Sequence, residues 1–382
     1  MTRILHDVAV SVNHDDAVGL ACSAYPVTCR RVDGLLACAY RAGTTQHGAD
    51  GIGVVRTSTD QGRHWSAPVI VFDGRDFEPP ESYATCQVLA PRDGSLLALF
   101  CVIVCTHPDH DFLDTEEGFA QELRYYKARS VDDGRTWSAP EPIAFNLPRP
   151  SLCGRSFVFP DGELFINTKH KSPDGGCVMA GCFSSDHGRT FSTIVDFVTD
   201  PDGIVAYDEA YYTTFDDGEV LVLIWTFKPD RDNPKVLRIL ETLPVHRSVS
   251  RDRGRTWSAP QPTNIIGQLT CPLAVDGQTV IAASNFRHKP AGIRLWTSHD
   301  RGTTFDADPL QMWDVREERV VAAPVSSLAS CDDSDSDDHR MESFTFGLPD
   351  LNDLDDGTYL LTYYATIDGA LHVRACRFSL SP

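Results

Sequence analysis

Ser58-Thr-Asp60-Gln-Gly62-Arg-His-Trp65 recurs four more times along the chain, as Ser130 to Trp137, Ser184 to Phe191, Ser250 to Trp257 and Ser298 to Phe305. Each copy reads Ser-x-Asp-x-Gly-x-x-(Trp/Phe), and a motif repeated in this way decides the architecture ahead of any local argument. The Asp can accept hydrogen bonds from the backbone of a tight turn, the Gly takes positive φ at little cost, and the aromatic ring anchors the turn on its neighbours. Each copy is therefore read as a hairpin staple and not as a catalytic motif. A second series runs out of phase with the first. Asp33, Asp93, Asp161, Asp217, Asp276 and Asp356 each precede a Gly, and an apolar run follows, such as Leu96 to Phe100 or Val220 to Ile224. These are hairpin turns entering strands.

In the first five units the box Asp follows the turn Asp by 24 to 39 residues. Every unit then reads strand, Asp-Gly turn, strand, loop, strand, box, strand. Six such units predict an all-β fold, a six-bladed β-propeller with four-stranded antiparallel blades, as one domain over residues 1–382. The last unit lacks a box and supplies only three strands. The N-terminal strand, near Ile4 to Val12, is expected to join that last blade and close the ring. The run Asp332 to Asp338 reads as a solvated acidic insertion at about 328–341.

A formal charge of -20 argues against nucleic acid as a partner, because phosphates would be repelled. No apolar stretch is long enough for a transmembrane helix, and Met1 to Asp7 carries no secretory core, so no membrane partner and a cytoplasmic location are expected. The twelve Cys follow no zinc or disulfide spacing and read as reduced core residues. No metal and no cofactor are expected.

In an up-and-down blade the first and third turns lie at one end, so the Asp-Gly turns and the boxes share one face of the disc. The opposite face carries the remaining loops, and ligands of ring-shaped folds are sought there, around the channel. Those loops are rich in cations for so acidic a chain: Arg41 and His47, His107 and His110, Lys169-His170-Lys171, Lys228 with Arg231 and Lys235, and Arg287-His288-Lys289. Such a face suits a small carbohydrate with a negative charge, such as a sugar carboxylate.

The boxes, with the Trp-Ser-Ala-Pro tail at Trp65, Trp137 and Trp257, resemble the Asp boxes of the sialidase (neuraminidase) superfamily. The resemblance covers nearly the whole chain and implies a six-bladed propeller. It also implies a Tyr nucleophile activated by a Glu, an Asp acid/base and three Arg residues on the substrate carboxylate. Glu209, eight residues before the Asp217 turn, stands where the family's Glu does. Ala24 stands in place of the first Arg, Trp225 and Thr226 occupy the place of the second, and Arg287 or Arg294 answers to the third. Phe346 stands where the Tyr is expected, and His47, with Asp50 three residues on, where the acid/base Asp is expected. The frame of the family is kept while its site is rewritten, which argues against an ordinary sialidase.

Two enzyme readings follow. In a glycoside hydrolase, a carboxylate pair drawn from Glu209, Asp208, Glu342, Glu81 and Asp50 supplies general acid and base or nucleophile. In a uronate-type lyase, His47 or Tyr83 abstracts the proton beside a carboxylate that an Arg or Lys neutralises. Arg41, His170, Trp225, Arg287 and His288 are the remaining candidates for contacting substrate. A third reading, a glycan-binding propeller without turnover, stays open beside these.

Overall fold

The computed structural model describes residues 2–11, 20–111, 122–145, 152, 154–171, 177–200, 204–230, 239–328 and 345–380. Among the described residues the regular structure is β-strand apart from one short 3-10 helix at Val325–Ser327. They form five antiparallel meanders arranged as a β-propeller. The largest has eight strands, and a single parallel residue pair, Cys22 with Leu371, joins its two halves. One half runs through Phe346–Asp353, Thr358–Ile367 and Ala370–Leu380, and Thr2–Ala9 pairs antiparallel with the last of these. The other half runs outward through Cys22–Arg30, Leu36–Gly43, Ile52–Ser58 and Val69–Phe72.

The second strand of each meander shows why these sequences become propeller blades. Leu96–Val104 (LLALFCVIV) is buried at every position and shows no alternation, as does most of Val220–Pro229. A strand covered on both faces by neighbouring sheets needs apolar side chains on both, and blades packed face to face provide that environment. The clusters alternate around the ring accordingly. Leu96, Ala98 and Phe100 pack with Val27, Ala37 and Ala39 on one side, while Leu97 and Leu99 pack with Leu152, Leu164 and Ile166 on the other.

The boxes are staples, and the serine is their pivot. Ser58 Oγ donates to Asp60 Oδ1 at 2.9 Å and accepts from Gly62 N at 3.0 Å, while Asp60 Oδ1 accepts from His64 N at 2.9 Å. The other four copies repeat this geometry, with the Gly N to Ser Oγ bond at 2.7 to 2.9 Å. Gln61 and Gly62 both have positive φ, 62° and 80°, which is why a glycine ends the pair. Hydrogen bonds hold the carboxyls of Asp60, Asp132 and Asp300 down to about 2 against the opposing cost of burial.

The residue after the box Asp reaches the neighbouring Asp-Gly turn. Arg253 forks onto Asp161 with two 2.6 Å bonds, Arg301 onto Asp217 at 2.8 and 2.9 Å, and Gln61 donates to Asp356 at 2.9 Å. Boxes and Asp-Gly turns thus share one face, and the Gln61–Asp356 bond links the first box to the last turn. The acidic run at 332–338 lies outside the described residues.

Candidate functional site

The innermost strands carry irregularities at one level near the face away from the boxes. Register slips occur between Ala24 and Val27, Tyr83 and Thr85, Asp208 and Ala210, and Gly347 and Asp350. Three residues at these slips have left-handed backbone without being glycine: Tyr25 at φ 59°, Glu209 at 41° and Leu348 at 44°. A bulge re-aims its side chain, and strained backbone of this kind persists only where the surroundings over-determine it.

Below this level Arg155 bridges several inner elements. Arg155 donates to Leu351 O at 2.6 Å and Asn352 Oδ1 at 2.9 Å and pairs with the buried Asp350, whose other oxygen accepts from Thr28 N at 2.7 Å. Arg155 N also donates to Ala210 O at 3.1 Å, beside the Glu209 bulge. A Cβ at Gly154 would stand 2.1 Å from that same carbonyl oxygen, so only glycine permits the approach. The bulge that aims Glu209 is therefore buttressed by the Gly154-Arg155 segment and by the Arg155–Asp350 brace.

Glu209 sits among mixed charges. Burial and the adjacent Asp208 push its carboxyl up to about 7, while Lys169 and Arg287 oppose the rise. Its Oε2 is buried with no hydrogen-bond partner among the described residues. Lys169 Nζ pairs directly with Asp208 Oδ1, so the second carboxylate is neutralised within the protein. Arg287 is held by Gln268 Oε1 at 2.5 Å and lies over the ring of Phe346, 4.9 Å from its centroid. Asn285 Nδ2, Tyr364 Oη and Arg287 Nη2 converge on Gly347, where an added Cβ would lie 3.0 to 3.1 Å from all three. Tyr364 is fully buried, and burial raises its phenol against the pull of Arg287. The Tyr25 ring packs edge-on against Tyr364 at 5.5 Å, and Tyr25 Oη meets His47 Nε2 at 2.6 Å.

Of the residues singled out from sequence, Glu209, Asp208, Arg287 and His47 come to this mouth, His47 by way of Tyr25 and Tyr364. Arg294 does not share the third-arginine place; it stacks over Phe286, 3.3 Å from its centroid. Several expectations are corrected. Arg41 is 1 % exposed and spends its guanidinium on Gln46 O, Gly48 O, Ser82 Oγ and Tyr83 O, so it builds the loop that carries His47 and cannot reach a ligand. Tyr83 is equally buried, packed between Phe72 and Phe100. Glu81 is consumed by Arg124 and by Tyr126 Oη.

Asp50 staples its own loop through Thr44 N at 2.9 Å and lines a separate groove of about 380 Å³ together with Arg75, Asp109 and Asp111. Trp225 is buried against Phe227. His170 pairs with Asp196 at 2.7 Å, and His288 is an exposed loop residue beside Phe286. Glu342 lies outside the described residues. Of the cations expected on this face, Lys169, His170 and Lys228 each pair with an acid, while Arg231 and Lys235 lie outside the described residues. No group of three or more His, Cys, Asp and Glu is placed to hold a metal among the described residues. No described helix is long and apolar enough to cross a membrane.

Sequence reasoning passed over Tyr25, Tyr364, Asn285 and Gln268, and named Lys169 only as one of the loop cations. Tyr25 stands beside Ala24, and its φ of 59° departs from the extended backbone that a residue before a proline, here Pro26, ordinarily takes. Tyr364, Asn285 and Gln268 are brought in by register and leave no local mark.

A propeller stapled on one face and carrying a charged, strained channel mouth on the other defines the class. The chain matches the BNR repeat-like domain over residues 34–357 and belongs to that family. Among solved structures it is similar to a Dyadobacter fermentans protein of unknown function, at 18 % identity and TM-score 0.71, covering 100 % of this chain and 99 % of that one. The Hadza microbial sialidase Hz136 is similar at 18 % identity and TM-score 0.68, covering 97 % and 68 %. The intramolecular trans-sialidase from Ruminococcus gnavus, in complex with oseltamivir carboxylate, is similar at 13 % identity and TM-score 0.65, covering 97 % and 98 %. No curated protein matches the chain.

Proposed function

We propose that this chain is a glycoside hydrolase that removes a terminal, negatively charged sugar, with Glu209 as its proton-transfer group and Arg287 as the partner of the sugar's negative charge. The fold assumed is a single six-bladed propeller over residues 1–382, with the eight-stranded sheet counted as two blades. The lone Cys22–Leu371 pair between its halves supports that count. The observation that carries the activity is the Glu209 carboxyl, buried beside Arg287 and raised to about 7. A carboxyl in that range is part protonated at neutral pH and can give a proton to a leaving oxygen. The nine described cysteines are buried and free, which supports the cytoplasm as its place of action.

A panel of methylumbelliferyl glycosides tests this, with the α-sialoside and the β-glucuronide as the anionic members and β-galactoside as the neutral control. Release from an anionic member that Glu209→Gln slows by about 10²–10⁴-fold supports the reading. Turnover of the neutral sugar alone would overturn it.

One observation favours a second reading. The Tyr25–His47 contact is also an arrangement that can take a proton from the carbon next to a carboxylate. Elimination would release an unsaturated uronate, seen by its ultraviolet absorbance from an oligouronate substrate, and hydrolysis would not.

A further inference from the structure

Phe346 is buried under the Arg287 guanidinium and has no oxygen, so a covalent intermediate at this mouth needs a nucleophile from another strand. Two tyrosines are available. Tyr364 is fully buried among Asn285, Arg287 and Gly347. Tyr25 keeps part of its surface exposed, stands on the inner-strand bulge at φ 59°, and has an imidazole nitrogen 2.6 Å from its hydroxyl. Burial and the neighbouring Tyr364 push the Tyr25 phenol well above its ordinary range, so it can attack only as its proton leaves to a base. His47 is the base in contact. Tyr364 meets the Tyr25 ring edge-on and is also near enough to Glu209 to feel its charge, so one buried ring neighbours both groups.

We infer that Tyr25 is the nucleophile, activated by His47, while Glu209 serves as the acid that protonates the leaving oxygen. The inference rests on the hydrolytic reading above. In the first half-reaction Tyr25 Oη bonds to the anomeric carbon as its proton passes to His47 Nε2. The bond from the anomeric carbon to the leaving oxygen breaks with its electron pair on that oxygen, which takes the Glu209 proton. In the second, water attacks the anomeric carbon and gives a proton to the Glu209 carboxylate. The bond to Tyr25 breaks, and the phenolate oxygen recovers the proton held on His47. Two displacements retain the anomeric configuration.

The test uses the full chain and two covalent probes, fluorosialosyl fluoride and fluoroglucuronosyl fluoride, read by intact mass and peptide mapping. One sugar on the peptide containing Tyr25, no adduct in Tyr25→Phe, and retention at the anomeric centre are expected. His47→Gln should slow adduct formation by about 10²-fold for good and poor leaving groups alike. Glu209→Gln should slow only the poor ones, a split that a merely structural role would not produce. A melting curve checks that each variant is folded, and Tyr25→Trp repeats the test should Tyr25→Phe fail to fold. An adduct on Tyr364 or elsewhere, inversion, or turnover surviving in a folded Tyr25 variant would overturn the inference and leave the hydrolytic reading standing. No adduct and no turnover on the glycoside panel would remove both.

Discussion

Arg155 Nη1 lies 2.9 Å from Asp350 Oδ1, joining the segment before strand Phe157–Val158 to strand Phe346–Asp353. The pair is walled by Thr28 N, Leu351 O, Asn352 Oδ1 and the Cys271 sulfur, so Asp350 keeps its hydrogen bonds while out of water and Arg155 keeps its own while partly exposed. Removing one partner strands the other. Asp350→Ala is expected to cost about 3–5 kcal/mol in urea unfolding, whereas Arg155→Met combined with Asp350→Leu should recover most of that loss. Equal destabilisation in the single and double variants would show that the brace acts through shape and not charge.

Glu209 gives the stability curve a direction. Its folded carboxyl titrates at about 7, above the ordinary 4.5, so the native state binds this proton more tightly than the unfolded chain does. The stability it contributes is complete below about pH 4.5 and is lost as the pH rises through 7. Glu209→Gln, which cannot ionise, should therefore be more stable than the parent at pH 8 by about 1–2 kcal/mol, once partial solvent access is allowed for, and nearly equal to it at pH 4. Denaturant midpoints at the two pH values measure this, and an unchanged difference would place the Glu209 pKa near that of free glutamate.

The boxes should matter for folding and not for turnover. Ser250 Oγ donates to Asp252 and accepts from Gly254 N at 2.7 Å, so Ser250→Ala leaves a buried N–H without its acceptor and is expected to cost about 1–3 kcal/mol. Because the box faces away from Glu209, kcat/KM on any glycoside found should stay within about twofold of the parent where the variant is folded. A large loss at a temperature where it remains folded would move the functional face to the boxed side.

How much was legible from the chain differs between frame and site. The frame repeats, and repetition is local: Ser58 to Trp65 and Asp33-Gly34 announce their turns through their own side chains, wherever they lie. Glu209 was legible because its distance from Asp217 is counted along one hairpin. The errors share a cause. Arg41, Glu81 and Tyr83 stand at the right ends of the right strands, yet whether a strand-end side chain points into the channel or into the gap between blades depends on bulges that shift register by one residue. The slip between Tyr83 and Thr85 and the one between Ala24 and Val27 have no sequence signature strong enough to read. Gly347 illustrates the same limit, since Tyr364 is its partner across its own hairpin while Asn285 and Arg287 come from another.

Gly51 offers a way to move His47 without touching it. A Cβ there would fall 1.3 Å from Arg41 Nη1, inside the atoms of a guanidinium that is itself held by Gln46 O and Gly48 O on either side of His47. The Arg41 side chain has no free volume to retreat into, so the loop must give way. Gly51→Ala is expected to lower stability by about 1–3 kcal/mol and to break the Tyr25–His47 contact, reproducing the slow adduct formation of His47→Gln while Glu209 keeps its titration. Arg41→Lys, which cannot fork between the same carbonyls, should give the same activity loss from the opposite partner. Adduct kinetics beside the histidine ring signals in NMR decide the matter: parental kinetics with a displaced His47 signal would show that the loop's position is irrelevant to the chemistry, and His47 would then lose its place in the site.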